Sequence, residues 1–271
     1  MKNSFQVAKN TFLDVIDINE YIEIESSYMI MTQLENAIYK PFKMVILFGK
    51  PGTGKSILLK NLFEQTKHQK EMYFFETPSG NQKEFLKQLF KAIKKEDAPL
   101  NADVDFVDLV NYCKSIKDQR EIIFLLDEAQ MYDMDTFEKI RLLSDTNTIK
   151  FIISLHQHGK EELLTQAHFS SRIWERIELK NITTQEQALY IHKKLSNKHL
   201  IDIANNIKDK NLKLIYKYTK GNYRECNKLM FTIFEICEYY DKYNPLKMMN
   251  INSIPNKIIE MAGLKLGYIN A

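Results

Sequence analysis

The sequence predicts an α/β fold: a three-layer core with a parallel sheet, followed by a small all-helical domain. Three observations carry this. Short apolar runs at 44–48, 72–75, 121–128 and 150–155 alternate with amphipathic helical stretches, the pattern of a parallel sheet covered on both faces. A glycine-rich turn joins the first run to a helix. After about residue 180 the strand signals stop and only helical periodicity continues. The chain of 271 residues has room for both parts.

In chain order, residues 1–24 are weakly patterned, with 12–16 and 21–22 reading as extended or turn-like. Residues 26–40 read as a helix, capped by Ser26 or Ser27 and ended by Pro41. Residues 1–40 are therefore expected to be an N-terminal segment with a leading helix. Residues 41–180 are expected to be the α/β core, and 181–271 a helical lid with C-terminal helices. Within the core, helices are expected at 55–66, 82–95, 106–116 and 134–143. The lysines of 82–95 (Lys83, Lys87, Lys91, Lys94) lie off its apolar stripe and read as a solvated face. Thr183 and Glu186 form a capping box that opens a helix through Leu195. Further helical patterns run over 198–207, 210–219, 223–240 and 253–262.

Hydrophobic content of 44% and charged content of 27% are ordinary for a folded domain. A net charge of +3 does not by itself call for a nucleic-acid partner. Cys113, Cys226 and Cys237 are scattered, against a zinc or disulfide framework. No apolar run approaches the ~20 residues of a membrane span, and the N-terminus leads into no signal core. A cytoplasmic protein, peripheral to the inner membrane only through partners, is expected.

The turn after the first strand is Gly49-Lys50-Pro51-Gly52-Thr53-Gly54-Lys55-Ser56, followed by Ile57. Strand, G-x-x-x-x-G-K-[ST] and helix together make a phosphate cradle. The backbone from Gly49 to Ile57 surrounds the phosphates: Gly52, Thr53 and Gly54 are among its N–H donors, and Pro51, which has no N–H, shapes the turn. The helix N-terminus adds partial positive charge. Lys55 reaches the β- and γ-phosphates, and the Ser56 hydroxyl ligates Mg²⁺. Asp127-Glu128 ends a second apolar strand, the Walker B pattern: Asp127 organises Mg²⁺ and Glu128 is the general base toward water. The acid pair favours ATP hydrolysis over phosphate transfer to a metabolite.

The segment 154–158, Ser-Leu-His-Gln-His, follows the fourth strand, where Gln157 or His156 could face the γ-phosphate. The H-x-H spacing lacks a third ligand nearby, which weighs against a metal there. Arg172 and Arg176 flank Ile173-Trp174. Either could serve a neighbouring subunit's nucleotide as an arginine finger, with Arg172 the first choice; the bland alternative is two surface arginines. Arg224, in Gly221-Asn222-Tyr223-Arg224, stands at a helix start, where it could contact nucleotide or be an ordinary surface residue.

This order of motifs resembles an AAA+ ATPase. In detail it is similar to the ExeA/GspA-type ATPases of secretion and pilus systems and to the related TniB and MuB transposition ATPases. Arg141-Leu142-Leu143-Ser144 is like that family's R-L-L-S, and Ser171-Arg172-Ile173 is like its Q-R-I. The run from Thr184 to Leu195 is like T-x-x-E-x-x-x-Y-I-x-x-R-L, with Lys194 for its arginine, and Gly221 to Asn227 is like G-x-P-R-x-I-N. The family's G-Q-P appears as His156-Gln157-His158, and Tyr223 replaces its proline. The resemblance implies ATP and Mg²⁺ as cofactors, nucleotide-dependent homo-oligomers, and Arg224 as a sensor toward bound nucleotide. It also implies work on an envelope machine (type II secretion, type IV pilus or DNA uptake), with inner-membrane proteins as partners. The TniB/MuB side implies a DNA-dependent ATPase of transposition or replication. The family's membrane span and peptidoglycan-binding region are not expected in this chain, which would be the cytosolic ATPase part.

Overall fold

The computed structural model describes residues 4–98, 103–157, 167–243 and 253–270. They fall into two units, residues 29–179 and a second made of residues up to Tyr28 and from Lys180 onward.

The first unit is built on a five-stranded, wholly parallel sheet in the order β2-β3-β4-β1-β5. The strands are β1 (Met44–Gly49), β2 (Glu71–Phe75), β3 (Ile122–Leu126), β4 (Ile149–His156) and β5 (Ile173–Leu179). β1 and β3 are buried throughout and β4 up to its last residue, which explains their unbroken apolar runs. Ile46, Phe48, Phe124, Leu126, Phe151 and Ile153 point to one face. They pack with residues of α4 (Gln82–Lys94), α5 (Phe106–Ser115) and α6 (Met134–Ser144). Each fully buried Leu, Ile or Phe in such a core contributes about 1.5–3 kcal/mol. α2 (Glu25–Ile38) and α3 (Lys55–Thr66) complete the longer helices before β2. The predicted parallel α/β core is borne out.

β5 is a strand that the periodicity of the longer runs does not announce. Its middle alternates: Trp174, Arg176 and Glu178 are exposed, while Ile177 and Leu179 are buried. It lies at the sheet edge beside β1, and Trp174 bulges out of the register between Ile173 and Glu175. An edge strand needs only one buried face, so half of its residues are free to be charged.

The second unit is helical. It comprises α1 (Ser4–Thr11), α8 (Thr184–Asn197), α9 (Ile201–Asn205), α10 (Asp209–Thr219), α11 (Tyr223–Tyr243) and α12 (Asn256–Lys265). The short α7 (Ala167–Ser170) belongs to the first. α1 is a helix in the weakly patterned N-terminus that the sequence does not announce, while residues 12–16 and 21–22 are turn-like or extended as expected. Eight residues make a marginal helix alone, but Ala8 and the following Phe12 are buried in this unit's core, where Phe12 meets the Phe234 ring at 5.9 Å. Residues up to Tyr28 group with the C-terminal helices, and those from Met29 group with the sheet. α8 opens on the predicted capping box. The Thr183 hydroxyl accepts from the Glu186 N–H at 3.2 Å, and the Glu186 carboxylate accepts from the Thr183 N–H at 2.9 Å. Gly221 has a φ of +75°, and a Cβ there would lie 2.0 Å from the Ile182 carbonyl oxygen. No helix among the described residues is long and apolar enough to cross a membrane.

Candidate nucleotide site

The loops after β1 and β3 and the end of β4 lie at the carboxyl edge of the sheet, where parallel α/β folds place their ligands. Gly49 ends β1 against β5; a Cβ on it would meet the Leu179 carbonyl oxygen at 2.3 Å. Gly52 and Gly54 take φ of +77° and +92°, open to glycine at no steric cost. The Thr53 hydroxyl donates to the Lys50 carbonyl at 2.9 Å and tightens the loop. Lys55 and Ser56 are the first residues of α3. No side chain of a described residue caps this helix and no acid lies in its first turn, which suits an anion at its positive end. Lys55 is buried and donates to the Gly49 and Lys50 carbonyls at 3.0 and 3.1 Å. Ser56 and Ile57 are half-buried, and Pro51 is exposed.

Asp127 follows β3 and is 2% exposed. Its N–H donates to the Phe75 carbonyl at 3.1 Å, and its Oδ1 accepts from the Glu128 N–H at 2.9 Å. No cation of a described residue pairs with it. A buried carboxylate without a cation is costly, so Asp127 fits a divalent ion. Glu128 adopts left-handed backbone angles, φ +49° and ψ 34°. A non-glycine residue held there stores of order 1–3 kcal/mol.

Three side chains then converge. The Gln130 amide Nε2 donates to Glu128 Oε2, and His156 Nε2 lies 2.9 Å from the same oxygen. The Gln130 Oε1 accepts from the His156 backbone N–H at 3.1 Å. That backbone bond fixes which way the amide faces: its oxygen is taken by a donor, so its NH₂ must face the carboxylate. Both contacts use Oε2 and leave Oε1 for water. The Ser154 hydroxyl and His156 Nδ1 nearby are buried without a hydrogen-bond partner among the described residues, which suits a site that takes water or ligand atoms.

Of the two alternatives after the fourth strand, it is His156 that reaches Glu128. Gln157 is half-buried just beyond β4, and His158 lies outside the described residues. Gln130 escapes sequence reasoning because its partners are at 128 and 156. Its only signal is a polar residue two positions after the acid pair.

Arg172 is brought to Asp145, not to the phosphate loop. Its Nη2 lies 3.0 Å from Asp145 Oδ2 and its Nε 3.2 Å from Oδ1. Its Nη1 donates to the His168 carbonyl at 2.8 Å. Lys43 and Arg141 also pair with Asp145, at 2.6 and 3.1 Å. Burial works to raise the Asp145 carboxyl, but the hydrogen bonds and charges of Arg172 and Lys43 outweigh it and hold it below the usual range. Arg176 is exposed and donates to Ser170 Oγ at 2.6 Å. Arg224 is in the helical unit, with its Nε 3.0 Å from Asp14 Oδ2 and both side chains about half exposed. Such a pair is worth about 0–1 kcal/mol and exchanges readily.

Residues 40–164 match the family model described as AAA domain. The fold is the P-loop AAA+ fold. The Cdc6p of Pyrobaculum aerophilum is similar with a TM-score of 0.66 at 15% identity, over 95% of this chain and 70% of that one. The Aeropyrum pernix ORC1 protein, solved in complex with DNA, gives 0.63 at 12% identity over 95% and 69%. Domain III of the Thermotoga maritima replication initiation protein DnaA gives 0.55 at 16% identity over 96% and 99%. At these identities the likeness concerns the AAA+ fold alone. No curated protein matches the sequence.

Proposed function

We propose that this chain binds ATP with Mg²⁺ and hydrolyses it to ADP and phosphate. The observation that carries the reading is the Glu128 carboxylate, one oxygen held by Gln130 and His156 and the other open, one residue from the cation-seeking Asp127. The backbone from Gly49 to Ile57 cradles the phosphates. Lys55 gives up its loop carbonyls for phosphate oxygens, and Ser56 and Asp127 hold the metal, which supplies charge neutralisation on the phosphates. Glu128 Oε1 takes a proton from the attacking water as the β–γ bridging P–O bond breaks. Gln157 beside His156, and Arg224, are proposed to contact bound nucleotide. Arg172 is proposed to act on a neighbour's nucleotide in a homo-oligomer, after release from Asp145; Arg176, with fewer ties, is the alternative.

For the cellular setting, the ExeA/GspA-like motifs support an accessory ATPase of secretion, pilus or DNA-uptake machinery, working in the cytoplasm with inner-membrane partners. The second reading is a DNA-dependent ATPase of transposition or replication. It is favoured by the likeness to an ORC1 protein solved with DNA. Turnover of ATP by the purified chain, with and without duplex DNA, tests both. Glu128→Gln should keep nucleotide binding and lower turnover at least tenfold. Unchanged turnover in that variant removes Glu128 from the chemistry, and turnover indifferent to DNA removes the second setting.

A further inference from the structure

Two helices of this protein carry rows of lysine, and they treat their charge differently. On α4, Lys83, Lys87 and Lys91 each meet an acid: Asp103 at 3.0 Å, Glu84 at 3.5 Å and Asp97 at 2.7 Å. Lys94 lies over the Phe90 and Tyr112 rings. On α10 and its C-terminal cap, Lys210, Lys213, Lys217 and Lys220 are all exposed, and none pairs with an acid of a described residue. The spacing of Lys210, Lys213 and Lys217 puts them on one side of the helix, and Lys220, the left-handed C-cap, follows at its end. Asn211, Leu212, Ile215 and Thr219, at the intervening positions, are buried on the opposite side. Asp209, in the first turn, is the one acid of the helix and flanks only its N-terminal end. The aromatic Tyr216, half-buried, borders the row between Lys213 and Lys220.

We infer that this face of α10 is a docking surface for the phosphate backbone of duplex nucleic acid, read without regard to base sequence. Ten residues at 1.5 Å each spread the four ammonium groups over roughly 15 Å. A duplex presents a phosphate charge about every 1.7 Å of its axis, enough for each lysine to find one. Lysine is a point charge on a flexible stem, suited to phosphates and not to base edges. A bilayer is the weaker fit, because Leu212 and Ile215 are committed to the unit's own core and leave this helix no apolar face to insert. The inference gives the second cellular setting above a surface and does not depend on hydrolysis: a chain that turns over no ATP leaves its test intact.

The test is fluorescence anisotropy of a labelled mixed-sequence duplex with the full chain, without nucleotide, at 50 and 200 mM salt. Four phosphate contacts predict roughly a 100-fold weakening across that range. The fourfold variant K210E/K213E/K217E/K220E, checked for native circular dichroism, should lose at least tenfold in affinity at the lower salt and flatten the salt dependence. Should that variant fail to fold, single Lys→Gln changes serve instead, each lowering the log–log slope by about 0.9. The matching change on α4, K83Q/K87Q/K91Q, should leave binding within twofold. Equal duplex binding by the α10 variants and the natural chain overturns the inference, as does absence of duplex binding by the natural chain. Loss confined to phosphatidylserine vesicles, with duplex binding untouched, overturns it in favour of a membrane surface.

Discussion

The two units bury polar side chains for opposite ends. In the sheet unit, Thr53, Lys55, Asp127 and Ser154 are buried at the carboxyl edge, and Ser154 Oγ and the neighbouring His156 Nδ1 have no partner among the described residues. In the helical unit, buried polar groups tie helix to helix. Tyr190 donates to Asn227 at 2.8 Å, Thr219 to Gln187 at 2.9 Å, and Lys194 to the Thr11 carbonyl at 2.8 Å. Polarity held unspent beside a phosphate loop marks a place for a ligand, whereas the helical unit spends most of its buried polarity on architecture, with Tyr21 Oη and Gln187 Nε2 left without a partner among the described residues. Substitutions should therefore separate: in the first unit they remove activity and spare stability, and in the second they change stability.

The largest effect should come from Lys55→Ala, with ATP affinity by calorimetry falling at least 100-fold while the melting temperature stays within about 3 °C, the scale of ~1 kcal/mol in a chain this size. A large loss of stability without loss of affinity would reverse the contrast. Next is Gln130→Glu. The new side chain can still accept from the His156 N–H, but it sets an anion against Glu128. kcat should drop roughly tenfold, the scale of a misplaced general base, with KM for ATP within threefold. A rise in KM at constant kcat would instead assign Gln130 to binding.

The smallest effect sharpens the helical side. Burial pushes the Lys194 ammonium below its ordinary value of 10.5, as Glu20 and Cys226 work weakly the other way. Between the lowered folded value and 10.5 the unfolded chain holds more protons than the folded one. Stability from this group therefore rises as pH climbs through that window and is lost as pH falls. Lys194→Met should remove this upslope. In urea melts carried up to pH 10.5 the natural chain should gain on the variant as pH rises. A constant difference would mean that the Lys194 proton does not contribute.

Phosphate chemistry leaves little choice of residue, so Gly49 to Ser56 and Asp127-Glu128 are legible from spacing alone. The buried strands are legible for a similar reason, since water is excluded from both faces. What stays hidden depends on partners distant in the chain. α1 is a helix because of Phe234, and Arg224 meets Asp14 across 210 positions. The Asp145 clamp on Arg172 joins the end of α6 to the start of β5, and no local pattern encodes it. β5 itself was half visible: its alternation is present, but the charges of an edge strand mask it.

The bulge in β5 has a spectroscopic consequence. Trp174 is the only tryptophan of the chain, against 14 tyrosines, and it is 52% exposed. It sits two residues from both Arg172 and Arg176. Excitation at the red edge of the absorption band therefore addresses a single indole, on the strand where subunit contact through either arginine would be felt. The protein carries its own optical reporter at that edge, without label or added mutation.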